Sequence, residues 1–399
     1  MKILQVYPYF YPAWSYGGVT RVVYEVSKHL IDIGHEVTVY TTDAFDNKSR
    51  VVIRSNPMYI DGIETFYFRN FSNHLTYKYH LPLPFEMFFK IQNKLKKFNI
   101  IHLHGYRHSL NVLTHHYAKK YDVPYVLKAG GSLPRITEHK GLKRLFDILF
   151  GYDLLRDAEK TIARNEREFE QYRIMGVNED KIEILPVGIN LTEYDNLPEK
   201  GAFRRKYLLG ENEKLILYLG RIHRIKGLDL LVKAFAGLLK EFDNARLVIV
   251  GPDDGFLSTL KNLVQDLKIG DKVLFTGLLY ERDKLEAYVD ADVYVLPSIY
   301  ETFPSTVLEA WACGTPVITT DRCGIADIVS KVGFVVKYDI EQIQNAIFEI
   351  LSDDKLRKKF GAKGLKLVEE EFSWNTVIRK IETLYETVLT KNDRKCSTI

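Results

Sequence analysis

The chain has 399 residues, of which 46% are hydrophobic and 27% are charged, and these values favour two ordinary globular domains. They exclude a disordered or collagen-like chain, and three widely spaced cysteines with no CxxC pair exclude the usual pattern of a zinc site. The net charge of +4 is uneven, because residues 1–150 carry 20 basic and 11 acidic side chains, a balance of 20 − 11 = +9.

The basic first part of the chain predicts an anionic partner, the alternative being a solvated charged face. Residues 140–150, KGLKRLFDILF, place three basic side chains among six apolar ones. We expect them to form a helix that packs on the core. The alternative is an amphipathic helix on an anionic membrane, in peripheral contact at the inner face. The sequence lacks a signal-peptide pattern and a run of 18 apolar residues, which predicts a cytoplasmic location.

Strands and helices alternate along the chain, and the alternation starts twice. The first series has a helix at 19–33 and strands at 3–6, 37–40, 100–103, 125–127 and 182–185. The second series has strands at 215–219, 246–250, 273–275, 293–296, 317–320 and 334–336. The alternation is typical of parallel sheets covered on both faces. We therefore expect an α/β protein of two doubly wound, Rossmann-like domains that face each other across a cleft.

The domain boundary is expected in the polar segment 190–212. We assign residues 1–195 to the first domain, which would bind the acceptor of a reaction, and residues 196–372 to the second. A long helix with an apolar stripe starts near Ser373 and is predicted to cross back onto the first domain, so residues 373–399 belong with it.

Two loops follow predicted strands and precede predicted helices. Gly17-Gly18 stands before the first helix, where small residues and the helix dipole favour a close approach of a ligand, although GxGxxG is incomplete. GRIHRIKG at 220–227 contains Arg221 and Lys226, two cations that would neutralise a diphosphate leaving group. The alternative is that both are solvated loop charges.

The segment 297–320, PSIYETFPSTVLEAWACGTPVITT, predicts a short helix that begins at Pro304-Ser305 and follows a strand. Its free N–H groups at Ser305 and Thr306 favour phosphate. Glu301 lies before the helix and Glu309 inside it. Carboxylates beside an anion are suited to accept hydrogen bonds from sugar or ribose hydroxyls. The alternative puts Glu301 in a surface loop and makes Glu309 a helix cap.

These motifs together resemble the family 4 retaining glycosyltransferases of the GT-B fold, over nearly the whole chain. The resemblance rests on Glu301 and Glu309 with the following AWACGTPV, on GRIHRIKG, and on ILPVGIN at 184–190. It implies an enzyme that moves a hexose from a UDP-, GDP- or ADP-hexose to a hydroxyl acceptor. The acceptor would be a glycan, a lipid-linked sugar or a small molecule. No metal or other cofactor is implied.

The resemblance also implies the roles of single residues. Glu301 is expected on hydroxyls of the donor sugar, and Glu309 on the ribose of the nucleotide. Arg221 and Lys226 are expected on the donor diphosphate, in the place of a metal ion. The remaining donor contacts are expected from the backbone of Gly17, Gly18, Phe303, Ser305 and Thr306.

The chain departs from this family after the strand at 125–127, where relatives often carry a histidine and this chain has Lys128. The neighbouring strand ends in His102 and His104, with His108 beyond it. Alternation gives His104 the same face as His102, so we predict His104 as a catalytic residue near the acceptor, with Lys128 as the alternative.

Other functions remain as alternatives. A disaccharide or sugar-phosphate synthase, or a phosphorylase, would share the fold. An NAD-dependent oxidoreductase is disfavoured, because neither half contains GxGxxG. A nucleic-acid- or membrane-binding module without catalytic activity would not need the paired glutamates, and no nucleic-acid partner is expected. No side chain stands out as a nucleophile, which favours front-face transfer over double displacement.

Overall fold

A computed structural model describes residues 1–135 and 140–396. The chain divides into two compact units: Met1–Gly188 together with the segment from Trp374 onward, and Ile189–Ser373. The sequence placed the boundary at residue 195. The structure places it earlier, because Tyr194 is buried beside other residues of the second unit.

The first unit is built on a parallel sheet. Its described strands are β1 (Lys2–Val6), β2 (Glu36–Thr42), β3 (Met58–Ile60), β4 (Ile63–Phe68), β5 (Ile100–His104), β6 (Tyr125–Lys128), β7 (Lys160–Ala163) and β8 (Ile182–Ile184). They lie in the order β3-β4-β2-β1-β5-β6-β7-β8, and β3 pairs with β4 in the antiparallel sense. The strand order reverses direction between β1 and β5, which is where a doubly wound sheet offers a ligand site.

Helices cover both faces of this sheet. In the first part of the unit they are α1 (Gly18–Asp32), α2 (Asn73–Tyr79), α3 (Phe85–Lys90), α4 (Ser109–Lys120), α5 (Lys140–Phe146), α6 (Tyr152–Arg156) and α7 (Glu166–Ile174). One face packs Leu103 and Leu127 of the sheet against Leu110 of α4 and Leu154 of α6. The other face packs Val126 and its neighbours against α1.

The second unit repeats this architecture. Its described strands are β9 (Lys214–Leu219), β10 (Ala245–Val250), β11 (Val273–Gly277), β12 (Val293–Leu296), β13 (Val317–Thr320) and β14 (Phe334–Val336). They are parallel in the order β11-β10-β9-β12-β13-β14, so the direction of the order reverses between β9 and β12. Two doubly wound α/β units confirm the predicted fold class.

The helices of the second unit alternate with its strands. They are α8 (Ala202–Lys206), α9 (Leu228–Leu238), α10 (Leu257–Asp266), α11 (Glu281–Asp290), α12 (Ser305–Ala312), α13 (Ala326–Val329), α14 (Ile340–Ser352) and α15 (Asp354–Leu367). The last helix, α16 (Trp374–Cys396), returns to the first unit as predicted. Its Ile378, Ile381 and Tyr385 are buried with α1 residues on one face of that sheet.

The segment 140–150 is not the core-facing helix that the sequence favoured. It consists of α5 followed by a π-helical turn, Asp147–Gly151. The buried side chain is the polar Asp147, whose carboxylate lies 2.8 Å from both Arg107 Nε and Arg135 Nε. Because this anchor faces the interior, most apolar side chains around it are exposed: Leu142, Leu145, Ile148, Leu149, Phe150 and Tyr152. In the described parts of the chain, no helix combines the length and the hydropathy that crossing a membrane requires.

Candidate functional site

The loops that follow β9 and β12 meet at the carboxyl edge of the second sheet. These strands are neighbours, so the loops at 220–227 and 297–304 leave the sheet side by side. The backbone N–H of Ile299 donates to the carbonyl of Ile225 at 2.9 Å. Gly227 (φ +66°) permits this approach, since a Cβ there would lie 3.1 Å from the carbonyl carbon of Pro297 and nearer still to its oxygen.

This meeting brings together two of the predicted residues, Lys226 and Glu301. Lys226 Nζ forms an ion pair with Glu301 Oε2, and the side chains are only 15% and 17% exposed. Gly324 N donates to the carbonyl of Glu301 at 2.8 Å, which fixes the loop against the segment after β13. Among the described residues nothing donates to Glu301 Oε1. One oxygen is thus oriented by a lysine while the other can accept from a hydroxyl.

The N-terminus of α12 follows Glu301 closely in the sequence. Pro304 occupies the N-cap position and no side chain caps the helix, so the N–H groups of Ser305 and Thr306 point out of its first turn. The helix begins where the sequence predicted, with Ser305 as its first residue and exposed. No carboxylate stands in the first turn of α12, which leaves its positive end open to an anion.

A buried tyrosine supports the first turn of α12 from below. Tyr294 OH lies 2.7 Å from Thr306 Oγ1 and 3.2 Å from the carbonyl oxygen of Leu219. Burial raises the pKa of Tyr294 well above its usual value, and the nearby carboxylates of Glu309 and Glu301 add to the effect. The phenol therefore stays neutral and joins the end of β9 to the start of α12.

Glu309 lies one turn inside α12 and pairs with α11. Lys284 Nζ is 3.1 Å from Glu309 Oε2, and Tyr288 OH is 3.2 Å from the same oxygen. Nothing in the described chain donates to Glu309 Oε1, which leaves an acceptor for a hydroxyl. Sequence reasoning missed Lys284 and Tyr288. Their spacing of four puts them on one face of a helix, but nothing in the sequence says that this face meets Glu309.

The side chains of Arg221 and Phe303 do not contact Lys226 or Glu301. Arg221 lies on the loop that carries Lys226, but its Nη1 is 2.6 Å from Asp254 Oδ2 and its side chain is 64% exposed. The Phe303 side chain is buried, with its ring centroid 6.1 Å from that of Phe372, so only its backbone can face a ligand. The structure joins Lys226 to Glu301 and leaves Arg221 with a different partner.

Gly17 and Gly18 stand at the start of α1 in the first unit. Gly17 has φ +96°, and α1 begins at Gly18 with no side-chain cap and no acidic residue in its first turn. A Cβ built on Gly18 meets nothing within 4 Å. Packing within this unit therefore does not require a glycine at position 18.

His104 is not exposed at an edge of the sheet. Its Nε2 lies 2.6 Å from Gln5 Oε1, and its ring stacks on His102 with centroids 3.9 Å apart. The Tyr385 hydroxyl lies 2.6 Å from His102 Nδ1. Burial lowers the pKa of His104 well below its usual value, helped by His102 and Lys128. The geometry does not support His104 as a residue that touches an acceptor, because a neutral, buried imidazole here completes a core network.

No group of three or more histidine, cysteine or acidic side chains in the described part of the chain is arranged to hold a metal ion. Side chains and the uncapped end of α12 contribute positive charge at the site. The cationic contributors in the second unit are Arg221, Lys226 and Lys284.

Comparisons with known proteins cover both units. Residues 16–193 match the family described as Glycosyltransferase Family 4, and residues 199–367 match Glycosyl transferases group 1. An uncharacterized glycosyltransferase of Methanocaldococcus jannaschii is 29% identical over 97% of this chain and 98% of its own length. The N-acetyl-alpha-D-glucosaminyl L-malate synthase of Bacillus anthracis is 26% identical over 94% of this chain and 95% of its own length. The crystal structure of Anabaena HepE in complex with UDP superposes with a TM-score of 0.75 and 16% identity, covering 97% of this chain and all of that one (100%). This likeness confirms the predicted GT-B fold.

Proposed function

The chain belongs to the family 4 glycosyltransferases, with a second half of the group 1 type, and from this premise we propose that it moves a hexose from a nucleotide-diphosphate hexose to a hydroxyl acceptor with retention of configuration. The observation that carries this proposal is the contact of Lys226 with Glu301 at the switch point of the second sheet. Transfer from a nucleotide-diphosphate hexose needs a cation for the diphosphate next to a carboxylate for the sugar hydroxyls. Lys226 and Glu301 would supply these two groups.

The donor would lie along the carboxyl edge of the second unit. The N–H groups of Ser305 and Thr306 would bind a phosphate, since α12 is uncapped. Lys226 would stabilise the charge that develops on the diphosphate as its bond to the sugar breaks, and Arg221 would join it by exchanging Asp254 for phosphate. Glu301 Oε1 would accept from the hexose.

Glu309 would hold the ribose. Its Oε1 is free while Lys284 and Tyr288 hold Oε2, so the carboxylate is oriented before the nucleotide arrives. A carboxylate that accepts from two ribose hydroxyls is a common device in nucleotide-binding α/β sheets. The UDP in the HepE crystal structure supports a nucleoside diphosphate as the group bound.

We further propose that the transfer retains the anomeric configuration and needs no metal ion. The acceptor hydroxyl would attack the anomeric carbon from the face that the diphosphate leaves, and the departing phosphate oxygen would take the hydroxyl proton. One bond from carbon to the diphosphate oxygen breaks and one to the acceptor oxygen forms. The supporting features are the cations of the site, which would fulfil the electrostatic role of a metal.

A panel of UDP-, GDP- and ADP-hexoses, with NAD as the control, tests the function. A ligand that binds only the folded chain raises its melting temperature. We expect one nucleotide hexose to do so, and Glu301→Gln to abolish transfer from it. Proton NMR of the product should show the anomeric configuration of the donor, and EDTA should not reduce the rate. Stabilisation by NAD alone, or an inverted product, would contradict the proposal.

Peripheral contact with an anionic membrane is a second proposal, based on the Lys140–Tyr152 surface. This surface carries the exposed side chains of α5, the π-helical turn and Tyr152. Leu142 and Leu145 are 67% and 52% exposed, and Ile148 is 60% exposed. The segment contributes three basic side chains. One of them, Lys143, lies near His80 at the end of α2, where burial and then the charge of Lys143 lower the pKa of His80. Apolar and basic side chains on one exposed helix match an anionic bilayer in chemistry.

Sedimentation with vesicles tests this surface. We expect the protein to sediment with vesicles rich in phosphatidylglycerol and not with pure phosphatidylcholine. The double variant Leu142→Ser with Leu145→Ser should lose this binding, whereas Ile174→Ser, at an isoleucine of α7 that is 81% exposed, should keep it. Equal binding by all three proteins would refute the proposal, as would self-association of the wild type through this surface in analytical ultracentrifugation.

A further inference from the structure

Lys284 is a lysine of α11 whose ammonium group contacts α12 instead of extending into water. Its side chain is only 19% exposed, and its Nζ lies 3.1 Å from Glu309 Oε2. Among the described residues, Glu309 is the one acidic side chain that pairs with it. Holding a long lysine side chain in one geometry costs conformational entropy. The chain therefore fixes Lys284 against the carboxylate that we expect to bind the ribose.

Tyr288 shares the same oxygen but cannot hold it alone. Its hydroxyl lies 3.2 Å from Glu309 Oε2 and 3.3 Å from the carbonyl oxygen of Thr306. A phenol has a single hydrogen, so it cannot donate to both oxygens at once. Burial raises the pKa of Tyr288 well above its usual value, and the charge of Glu309 adds to the effect, so the phenol stays neutral. Lys284 is therefore the residue that holds Oε2 continuously.

The helix that carries Lys284 is anchored beside α12. Thr315 Oγ1 donates to the carbonyl oxygen of Tyr288 at 2.7 Å, and Tyr288 is fully buried. Lys284 lies four residues before Tyr288 in α11, on the same face of the helix. Its neighbour Asp283 pairs instead with Lys206 of α8, at 2.6 Å. The anchored helix thus presents one charged side chain to α12 and the next one to a different helix.

The other oxygen of Glu309 matches two hydroxyl groups better than one. Each oxygen of a carboxylate has two lone pairs. Those of Oε2 are taken by Lys284 and Tyr288, whereas nothing in the described chain donates to Oε1. A ribose offers neighbouring hydroxyls at C2′ and C3′, one for each lone pair. A 2′-deoxyribose would leave one lone pair without a donor on a side chain that is 14% exposed, which weakens binding.

We propose that Lys284 is a positioning residue which, by holding Glu309 Oε2, makes the donor site select ribonucleoside diphosphates over their 2′-deoxy forms. The substrate class is narrowed accordingly: the hexose is taken from a ribonucleotide, and deoxythymidine-diphosphate hexoses are rejected. The inference rests on the proposed function, because it requires that Glu309 binds the sugar of the nucleotide. A lysine that only joined α11 to α12 would stabilise the fold without distinguishing the two sugars.

The test uses the full chain as wild type, Lys284→Met, Lys284→Arg and Lys206→Met. Lys206→Met is the matched control, because it removes a lysine that pairs with α11 away from Glu309. Calorimetric titrations use UDP, GDP and ADP with their 2′-deoxy forms, and the variants are compared on the pair that the wild type binds most tightly. We expect the wild type to prefer the ribonucleotide by about 10-fold or more, and Lys284→Met by about 3-fold or less. Lys284→Arg, which keeps the charge, and Lys206→Met should retain the preference.

The ratio of the two affinities separates positioning from stability, which thermal unfolding without ligand measures on its own. A wild-type ratio in Lys284→Met, whatever its melting temperature, would overturn the proposal, as would loss of the preference in Lys206→Met. Equal affinities of the wild type for both forms would also overturn it, and that measurement needs no variant. If Lys284→Met does not fold, Lys284→Gln gives the same comparison with the same expected fall in the ratio. A wild type that binds none of the nucleoside diphosphates would overturn the proposed function itself, and this inference with it.

Discussion

Replacing Gly227 by alanine tests how the donor site is assembled. Gly227 lies where the loop after β9 passes the loop after β12, and its φ of +66° is in the left-handed region. A Cβ there would lie 3.1 Å from the carbonyl carbon of Pro297 and 2.9 Å from Tyr338 Cε2, with the Pro297 oxygen closer than either. Backbone cannot rotate away as a side chain can, so the two loops must separate.

The magnitude follows from two contributions. A non-glycine residue in the left-handed region costs about 1 kcal/mol. Displacing packed backbone to make room for one carbon costs about 1–3 kcal/mol. We therefore expect Gly227→Ala to lower the free energy of unfolding by about 2–4 kcal/mol, which is a fall in melting temperature of roughly 4–16 °C for a unit of this size. Separation of the loops would also part Lys226 from Glu301 and weaken donor binding by about 10-fold or more.

Differential scanning calorimetry and titration with the preferred nucleotide hexose check both effects. Gly270→Ala is the matched control, because a Cβ at position 270 meets nothing within 4 Å. The control should keep the stability and the affinity of the wild type within about 0.5 kcal/mol. If Gly227→Ala melts and binds like Gly270→Ala, the two loops are not held together as described.

Three other variants test separate parts of the account. Glu309→Gln should weaken binding of the nucleoside diphosphate by about 10-fold in calorimetric titration, while Glu281→Gln, on the exposed start of α11, should not; equal affinities would remove the ribose assignment. Gly18→Ala should leave the melting temperature unchanged or slightly higher, since its Cβ meets open space, yet should reduce turnover; full turnover would show that no ligand approaches there. Burial lowers the pKa of Lys128 from 10.5 to about 8, so the unfolded chain binds more protons between these values. The stability of the wild type relative to Lys128→Met should therefore rise by roughly 3 kcal/mol from pH 8 to pH 10.5, and a flat difference in urea unfolding would refute this.

Much of the fold could be predicted from the sequence, because the periodicity of apolar residues indicates which faces of the helices and strands are buried. Alternating strands and helices, restarted once, indicated two doubly wound sheets. The helix after Pro304 was predicted from its boundary residues. The sequence could predict that Lys226 and Glu301 lie at the same edge of the sheet, because their loops both follow strands of that sheet. It could not predict their ion pair, which depends on how closely Gly227 lets the two loops approach.

Other features depend on tertiary contacts that leave no local pattern. The sequence assigned His104 a place near the acceptor, but its buried ring contacts Gln5 and stacks on His102, which in turn contacts Tyr385 of α16. The apolar residues of 140–150 were expected inside, but the buried Asp147 with its two arginines turns the other face inward. Lys284 reaches Glu309 from another helix. In each case the deciding partner is remote in sequence.

The most direct measurement is a crystal structure of the full chain soaked with the nucleotide hexose that stabilises it most. We expect the diphosphate at the N–H groups of Ser305 and Thr306, within reach of Lys226, with Glu301 on the hexose and Glu309 on the ribose. Density for the donor at any other place on the second unit, or a diphosphate that Lys226 does not contact, would contradict it.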